Sequence, residues 1–140
     1  MKALIMALAL GTSLAQAEDA NPLIAERWKS RPLIVIAPDP NDTTLLEVRQ
    51  ALSAPDNREA FVDREMVLYE VVAGQGSRNG QALAAQASAA LLKALGHAAD
   101  GEARVVLVGK DGSVKVDQSE PFDPRALFRI IDRMPMRQAR

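Results

Sequence analysis

Two adjacent hydrophobic segments near the end of the chain constrain its fold most strongly. Val105–Val108 is a continuous apolar run, and after the turn Gly109-Lys110-Asp111-Gly112 the residues Val114–Asp117 alternate between apolar and charged. A continuous run rich in β-branched residues is typical of a strand that is covered on both faces. Alternation after an Asp-Gly turn is typical of its outer partner. The segment Arg104–Gln118 therefore predicts a β-hairpin in a sheet, with its first strand in a central position.

Two further apolar segments, Leu33–Ala37 and Met66–Val72, predict the remaining strands. Capping residues and helical spacing predict the helices. Residues 56–64 and 74–80 are interpreted as a polar connector and a loop. The predicted helices are a short one from Asn21-Pro22, one capped by Asn41 or Asp42 that ends near residue 54, one over Gln81–Leu95 stopped by Gly96, and one from Asp123-Pro124 to Pro135.

The resulting order, β-α-β-α-β-β-α after a short helix, predicts an α/β fold of thioredoxin-like arrangement with a central four-stranded mixed sheet. The right-handed crossover rule makes the first two strands parallel and adjacent. Three loops, at residues 38–43, 74–80 and 96–104, then gather along one edge of the sheet. A small doubly wound α/β domain and a ferredoxin-like fold are the alternatives, and the hairpin disfavours the former.

The N-terminal residues 1–17 are typical of a signal peptide. They carry one early Lys, a short apolar run, and Ala15-Gln16-Ala17, which fits the small-x-small cleavage rule. The alternative is a hydrophobic first helix of the domain, which the acidic residues that follow at once disfavour. We expect cleavage before Glu18, a single domain over residues 18–140, and a periplasmic or secreted location, with no membrane insertion after cleavage, because the run is too short to span a bilayer.

Composition excludes two classes of function. Without Lys2, 16 basic residues face 18 acidic ones, a net charge of −2, which argues against a nucleic-acid partner. The chain contains no Cys. Thiol-disulfide exchange and thiol-dependent peroxide reduction need a thiolate, so this polypeptide is not a thiol-dependent oxidoreductase.

Several segments together resemble a bacterial domain-of-unknown-function family of the DUDES type, the prokaryotic branch of domains also found in sushi-repeat-containing extracellular proteins. The segments are Trp28-Lys29-Ser30-Arg31-Pro32-Leu33, Gly109-Lys110-Asp111-Gly112 with Lys115, and Ile131-Asp132-Arg133-Met134-Pro135-Met136-Arg137. The resemblance covers nearly all of residues 21–137. It implies a fold similar to thioredoxins and peroxiredoxins, and it implies no established activity.

Cofactor and metal motifs are weak in this sequence. The glycines at 74, 76 and 80 are spaced off the dinucleotide-binding pattern, so a flexible loop is favoured over a phosphate cradle. Asp39, Asn41 and Asp42 resemble the start of a calcium loop, but Thr44 and Gln50 occupy its later positions, so they are interpreted as a helix cap. His97 is the only histidine. We therefore predict no cofactor and no metal.

Two sets of residues are candidates for a site. If Asp42, Arg78 and His97 converge where the three loops meet, they would form the site of an enzyme of non-thiol chemistry. The other set is Arg125, Arg129 and Arg133, which repeat every four residues and so lie on one face of the last helix. That face is either simply solvated or it binds a protein or an anionic small molecule. The preferred hypothesis is a non-catalytic binding or interaction module.

Overall fold

The computed structural model describes residues 20–119 and 121–138. The predicted signal peptide lies outside the described residues. Among those described, no helix is both long and apolar enough to cross a bilayer. The elements are α1 (Leu23–Glu26), β1 (Arg31–Ala37), α2 (Thr43–Ser53), α3 (Pro55–Asp63), β2 (Met66–Val72), β3 (Gln75–Arg78), β4 (Gln81–Ala82), α4 (Ala85–Leu95), β5 (Arg104–Val108), β6 (Val114–Gln118), α5 (Pro124–Asp132) and α6 (Pro135–Gln138).

The fold is α/β, with a six-stranded mixed sheet in the order β4-β3-β2-β1-β5-β6. Strand β1 runs parallel to β2, with Leu33 opposite Leu68, and antiparallel to β5, with Leu33 opposite Leu107. Strands β5 and β6 form an antiparallel pair. The predicted hairpin and the predicted parallel first pair are both confirmed.

The sheet has six strands instead of the predicted four. The segment predicted as a loop at residues 74–80 contains β3. This strand pairs with β2, and β4 pairs with β3. Its sequence, Gln-Gly-Ser-Arg, has no hydrophobic alternation. Backbone pairing and the buried hydrogen bond from the Gly76 N–H to Ser88 Oγ, 2.8 Å long, hold it instead. As a result, the fourth helix begins at Ala85 rather than at Gln81.

The polar connector predicted for residues 56–64 is wrong, because Pro55–Asp63 forms helix α3. Pro55 occupies the first turn, where its fixed φ favours a helix and its missing N–H costs nothing. No residue of α3 is fully buried. The helix therefore lacks the apolar stripe from which a sequence pattern could reveal it.

The sheet separates two hydrophobic cores. All seven residues of β1 are buried, and its alternate side chains enter opposite cores. Helices α2 and α5 cover one face, and α4 covers the other. The first core includes Leu33, Val35, Leu45, Val48, Leu107, Leu127, Phe128 and Ile131, and the second includes Ile34, Ile36, Tyr69, Val71, Leu91, Val106 and Val108.

Candidate functional site

Helix α5 has one face in the core and one face in solvent. Its start is fixed by Asp123, whose carboxylate accepts a hydrogen bond from the Arg125 N–H at 3.0 Å, and by Pro124 in the first turn. Leu127, Phe128 and Ile131 are buried against the sheet. The helix is thereby held with its opposite face directed away from the core.

That opposite face carries Arg125, Arg129 and Arg133, named here the basic stripe. All three are exposed, and none forms an ion pair with a described residue. At a rise of 1.5 Å per residue, the eight-residue interval from Arg125 to Arg133 spans roughly 12 Å. The stripe is a compact positive surface without a described counterion.

Acidic residues near the end of α5 are already engaged elsewhere. Asp132 accepts hydrogen bonds from Arg64 at 2.8 and 2.9 Å, and Arg137 lies 3.6 Å from it. Arg137 also pairs with Asp63. The carboxylate of Asp132 therefore faces Arg64, and it forms no ion pair with the basic stripe. Arg64 also stacks on Phe128, 4.7 Å from the ring centroid, and so ties α5 to the end of α3.

The contact between Asp132 and Arg64 has a pH dependence with a definite sign. The hydrogen bond from Arg64 lowers the pKa of Asp132 below its usual value; burial opposes the shift, and the charges of Arg64 and Arg137 reinforce it. A carboxylate whose pKa falls on folding stabilises the protein above its unfolded pKa, about 3.9, and loses that contribution as pH falls through the folded value. We therefore expect Asp132→Asn to lower Tm more at pH 7 than at about pH 2.5.

Thermal melts of the wild type and Asp132→Asn across this pH range are the measurement. Asn keeps the size of the side chain and removes its charge, so the difference in Tm isolates the ionised form. The difference should shrink as the wild-type carboxylate becomes protonated. A gap in Tm that stays constant from neutral to acidic pH would contradict the assignment.

The three loop-edge candidates each bind a different partner. Asp42 caps α2, where its Oδ1 accepts hydrogen bonds from the N–H groups of Thr44 and Leu45 at 2.9 and 3.3 Å. This confirms the interpretation as a helix cap. Two of the three loops follow the paired ends of β1 and β2, where the Ala73 N–H donates to the Ala37 carbonyl at 3.0 Å.

Arg78 belongs to a second cluster that fastens α1 to the sheet. Its guanidinium donates to Glu26 at 3.0 and 3.3 Å, and the Tyr69 hydroxyl lies 3.3 Å from the same carboxylate. Burial, followed by the charge of Glu26, raises the pKa of Tyr69 to about 12. Tyr69 therefore stays protonated and can donate to Glu26. This arrangement holds α1 against strands β2 and β3.

His97 belongs to a third cluster, on β5 and β6. Its Nε2 lies 2.7 Å from Asp117, and Arg104 donates to the same carboxylate at 2.9 Å. Burial alone would raise the pKa of Asp117, but the hydrogen bonds from His97 and Arg104 outweigh it, so the pKa is lowered. Helix α4 ends at Gly96, with φ 74°, while the imidazole pairs across to the hairpin.

No cluster of three or more His, Cys, Asp or Glu side chains suited to a metal ion occurs among residues 20–119 and 121–138.

A groove that the sequence did not reveal lies beside α3. It measures about 390 Å³ and is lined by Leu52, Arg58, Phe61, Val62, Met66, Leu68 and Asn79. Phe61 and Val62 are apolar residues in the segment that was predicted as a polar connector. Their presence there was the one feature of the sequence that could have indicated the groove.

Comparison with protein families matches residues 22–140 to a family described as Domain of unknown function (DUF4174). The chain belongs to this family. The match includes β1, the β5–β6 hairpin and the whole basic stripe, and it confirms the prediction of a domain of unknown function. Neither the curated proteins nor the solved structures that were compared with the chain gave a match.

Proposed function

We propose that this protein is an exported, non-catalytic interaction module of thioredoxin-like fold, and that it binds an anionic partner through the basic stripe. The observation that carries the proposal is the set of three exposed arginines without a described counterion. Elsewhere in the described chain, Arg49, Lys110 and other cations are paired with carboxylates within 3.1 Å. The stripe differs from these paired cations because it places three unpaired charges together on one face of a helix.

The shape of the stripe favours a protein partner. Small-molecule sites are concave and bury most of the ligand, whereas the stripe runs along the outer side of a helix. An acidic protein surface can contact all three arginines at once, and each guanidinium can bind a carboxylate through two parallel hydrogen bonds. The partner we propose is therefore an acidic segment or surface of another protein, and nucleic acid is disfavoured by the negative net charge.

Strand order supports the thioredoxin-like part of the proposal. Within the six-stranded sheet, β2-β1-β5-β6 comprises one parallel and two antiparallel pairs, and helices lie on both faces. The β3–β4 hairpin then extends this unit at the β2 edge. The resemblance to the DUDES type rests on the sequence segments at residues 28–33, 109–115 and 131–137, and export rests on the pattern of residues 1–17.

The test compares two double variants of equal charge change. Tagged Arg129→Gln/Arg133→Gln protein is compared with Arg27→Gln/Lys29→Gln, whose two cations are also exposed. They follow α1, whose Leu23 packs in the second core, whereas α5 packs in the first. Each protein is used to capture partners from periplasmic extract, and the affinity for a captured protein is then measured. The stripe variant should bind about tenfold more weakly, since two surface ion pairs contribute roughly 1.4 kcal/mol together.

The Arg27/Lys29 variant should bind like the wild type, and added salt should weaken binding by the wild type. Both variants should melt within a few degrees of the wild type, because all four side chains are exposed. If the stripe variant melts normally and binds the same protein with unchanged affinity, the stripe is only a solvated face and the proposal is wrong.

A further inference from the structure

The groove beside α3 is large enough to hold a small molecule, and most of its lining is apolar. Its volume, about 390 Å³, lies within the roughly 300–1,000 Å³ usual for small-molecule pockets. Leu52 and Met66, both buried, belong to the first core and form its apolar base. Val62 lies at its rim and is 70% exposed, which is high for an aliphatic side chain. An exposed apolar surface that continues into a concave groove is a common sign of a binding site.

Two polar residues line the groove, and they differ in how they are held. Asn79 is fixed, because its backbone N–H donates to the Leu68 carbonyl at 2.7 Å and its Oδ1 accepts from the Leu68 N–H at 2.9 Å. Its backbone is left-handed, at φ 47°. Since the carboxamide is bound through its oxygen, its NH₂ group is left as a donor. A preorganised donor of this kind gives orientation to a ligand at low entropic cost.

Arg58 supplies the charge of the groove. It forms no ion pair with any described residue. Its backbone N–H donates to the carbonyl of Ala54, the residue before α3, and its side chain forms no hydrogen bond with a described residue. An apolar groove with one uncompensated cation and one fixed N–H donor is complementary to a molecule that has an apolar body and a carboxylate end.

We propose that this groove binds a free single-chain amphiphile with a carboxylate head. The chain lies against Phe61, Val62 and Leu68, and the carboxylate pairs with Arg58 and receives a hydrogen bond from Asn79. Burial of the chain supplies most of the binding free energy, and the head group fixes its direction. The site is separate from the basic stripe, so it does not depend on the proposed function.

The probe is monomeric dodecanoate, titrated by calorimetry into the whole chain below the concentration at which it forms micelles. Saturable binding of one molecule per chain is expected. Arg58→Gln removes the charge and should weaken binding by about tenfold. Val62→Asp places a like charge against the ligand and an acid in the apolar lining, and should weaken it by at least about tenfold. Both positions are exposed, so both variants should melt like the wild type.

Matched controls use the same substitutions at exposed positions outside the groove. Arg125→Gln and Val114→Asp should leave the affinity for dodecanoate within about twofold of the wild type. Absence of saturable binding to the wild type would overturn the proposal. Equal binding by the wild type, Arg58→Gln and Val62→Asp would overturn it as well. Binding to vesicles of anionic phospholipid without binding of monomeric dodecanoate would assign the groove to a membrane surface and would also overturn it.

Discussion

Replacement of Phe128 by Ala is expected to lower the free energy of unfolding by about 3 to 5 kcal/mol. Phe128 is buried where α5 packs on the first core, and its ring also carries the Arg64 guanidinium at 4.7 Å. Truncation removes apolar contacts and leaves a cavity, since a packed core relaxes only in part. Domains of this size are stable by roughly 5 to 15 kcal/mol, so this one change can bring the protein close to unfolding.

Urea denaturation followed by far-UV circular dichroism is the appropriate measurement. The sole tryptophan, Trp28, is 66% exposed in the folded state, so its fluorescence is a poor reporter of unfolding. Ile130→Ala is the matched control on the same helix, because Ile130 is 39% exposed and Ala favours helix. Ile130→Ala should lower the free energy of unfolding by less than about 1 kcal/mol. Equal losses for Phe128→Ala and Ile130→Ala would contradict the assigned orientation of α5.

On the opposite face of the sheet, Leu91→Ala is expected to lower the free energy of unfolding by about 2 to 5 kcal/mol. Leu91 has no exposed surface and packs from α4 into the second core. Because the two cores are separated by the sheet, this loss and that of Phe128→Ala should add in the double variant to within about 0.5 kcal/mol.

Lys93→Ala serves as the control for the helix itself, since Lys93 lies on α4 and is exposed. It should change the free energy of unfolding by no more than about 0.5 kcal/mol. Should Leu91→Ala prove as mild as Lys93→Ala, α4 would not be the cover of this face. The whole two-sided arrangement would then have to be rejected.

The central strands β1 and β5 could be predicted because a continuous apolar sequence is typical of a strand that is buried on both faces. The segments over β1 and β5 are continuous apolar runs, and both proved buried on the two faces of the sheet. Helices α2 and α5 could be predicted because each begins at an Asp whose carboxylate accepts from the first turn. A continuous apolar run and a capping residue are local patterns, so both can be identified directly in the sequence.

The elements that were missed depend on partners distant in the chain. Strand β3 has no apolar pattern of its own and is held by pairing with β2 and by Ser88. Helix α3 buries no residue fully. Strand β3 and helix α3 are stabilised by the sheet edge and by the core beneath them, not by their own sequence patterns. They could therefore not be predicted from the segments alone.

The same division applies to the candidate site. The period of four in Arg125, Arg129 and Arg133 placed them on one exposed face correctly. That Asp132 would be held by Arg64, 68 residues away, was not available from spacing. Nor were the partners of Arg78 and His97, since Glu26 and Asp117 lie 52 and 20 residues away and only the fold brings them close.

We propose that α5 has an inner face that packs in the core and an outer face that binds another protein. Photo-crosslinking tests it most directly, with a photoreactive amino acid placed at Arg129 and, in a separate protein, at Lys93 on α4. Both positions are exposed, so neither replacement should disturb the fold. We expect a discrete crosslinked product from position 129 that Arg125→Gln and Arg133→Gln weaken, and none from position 93. A product from position 93 alone, or the same products from both positions, would contradict the proposal.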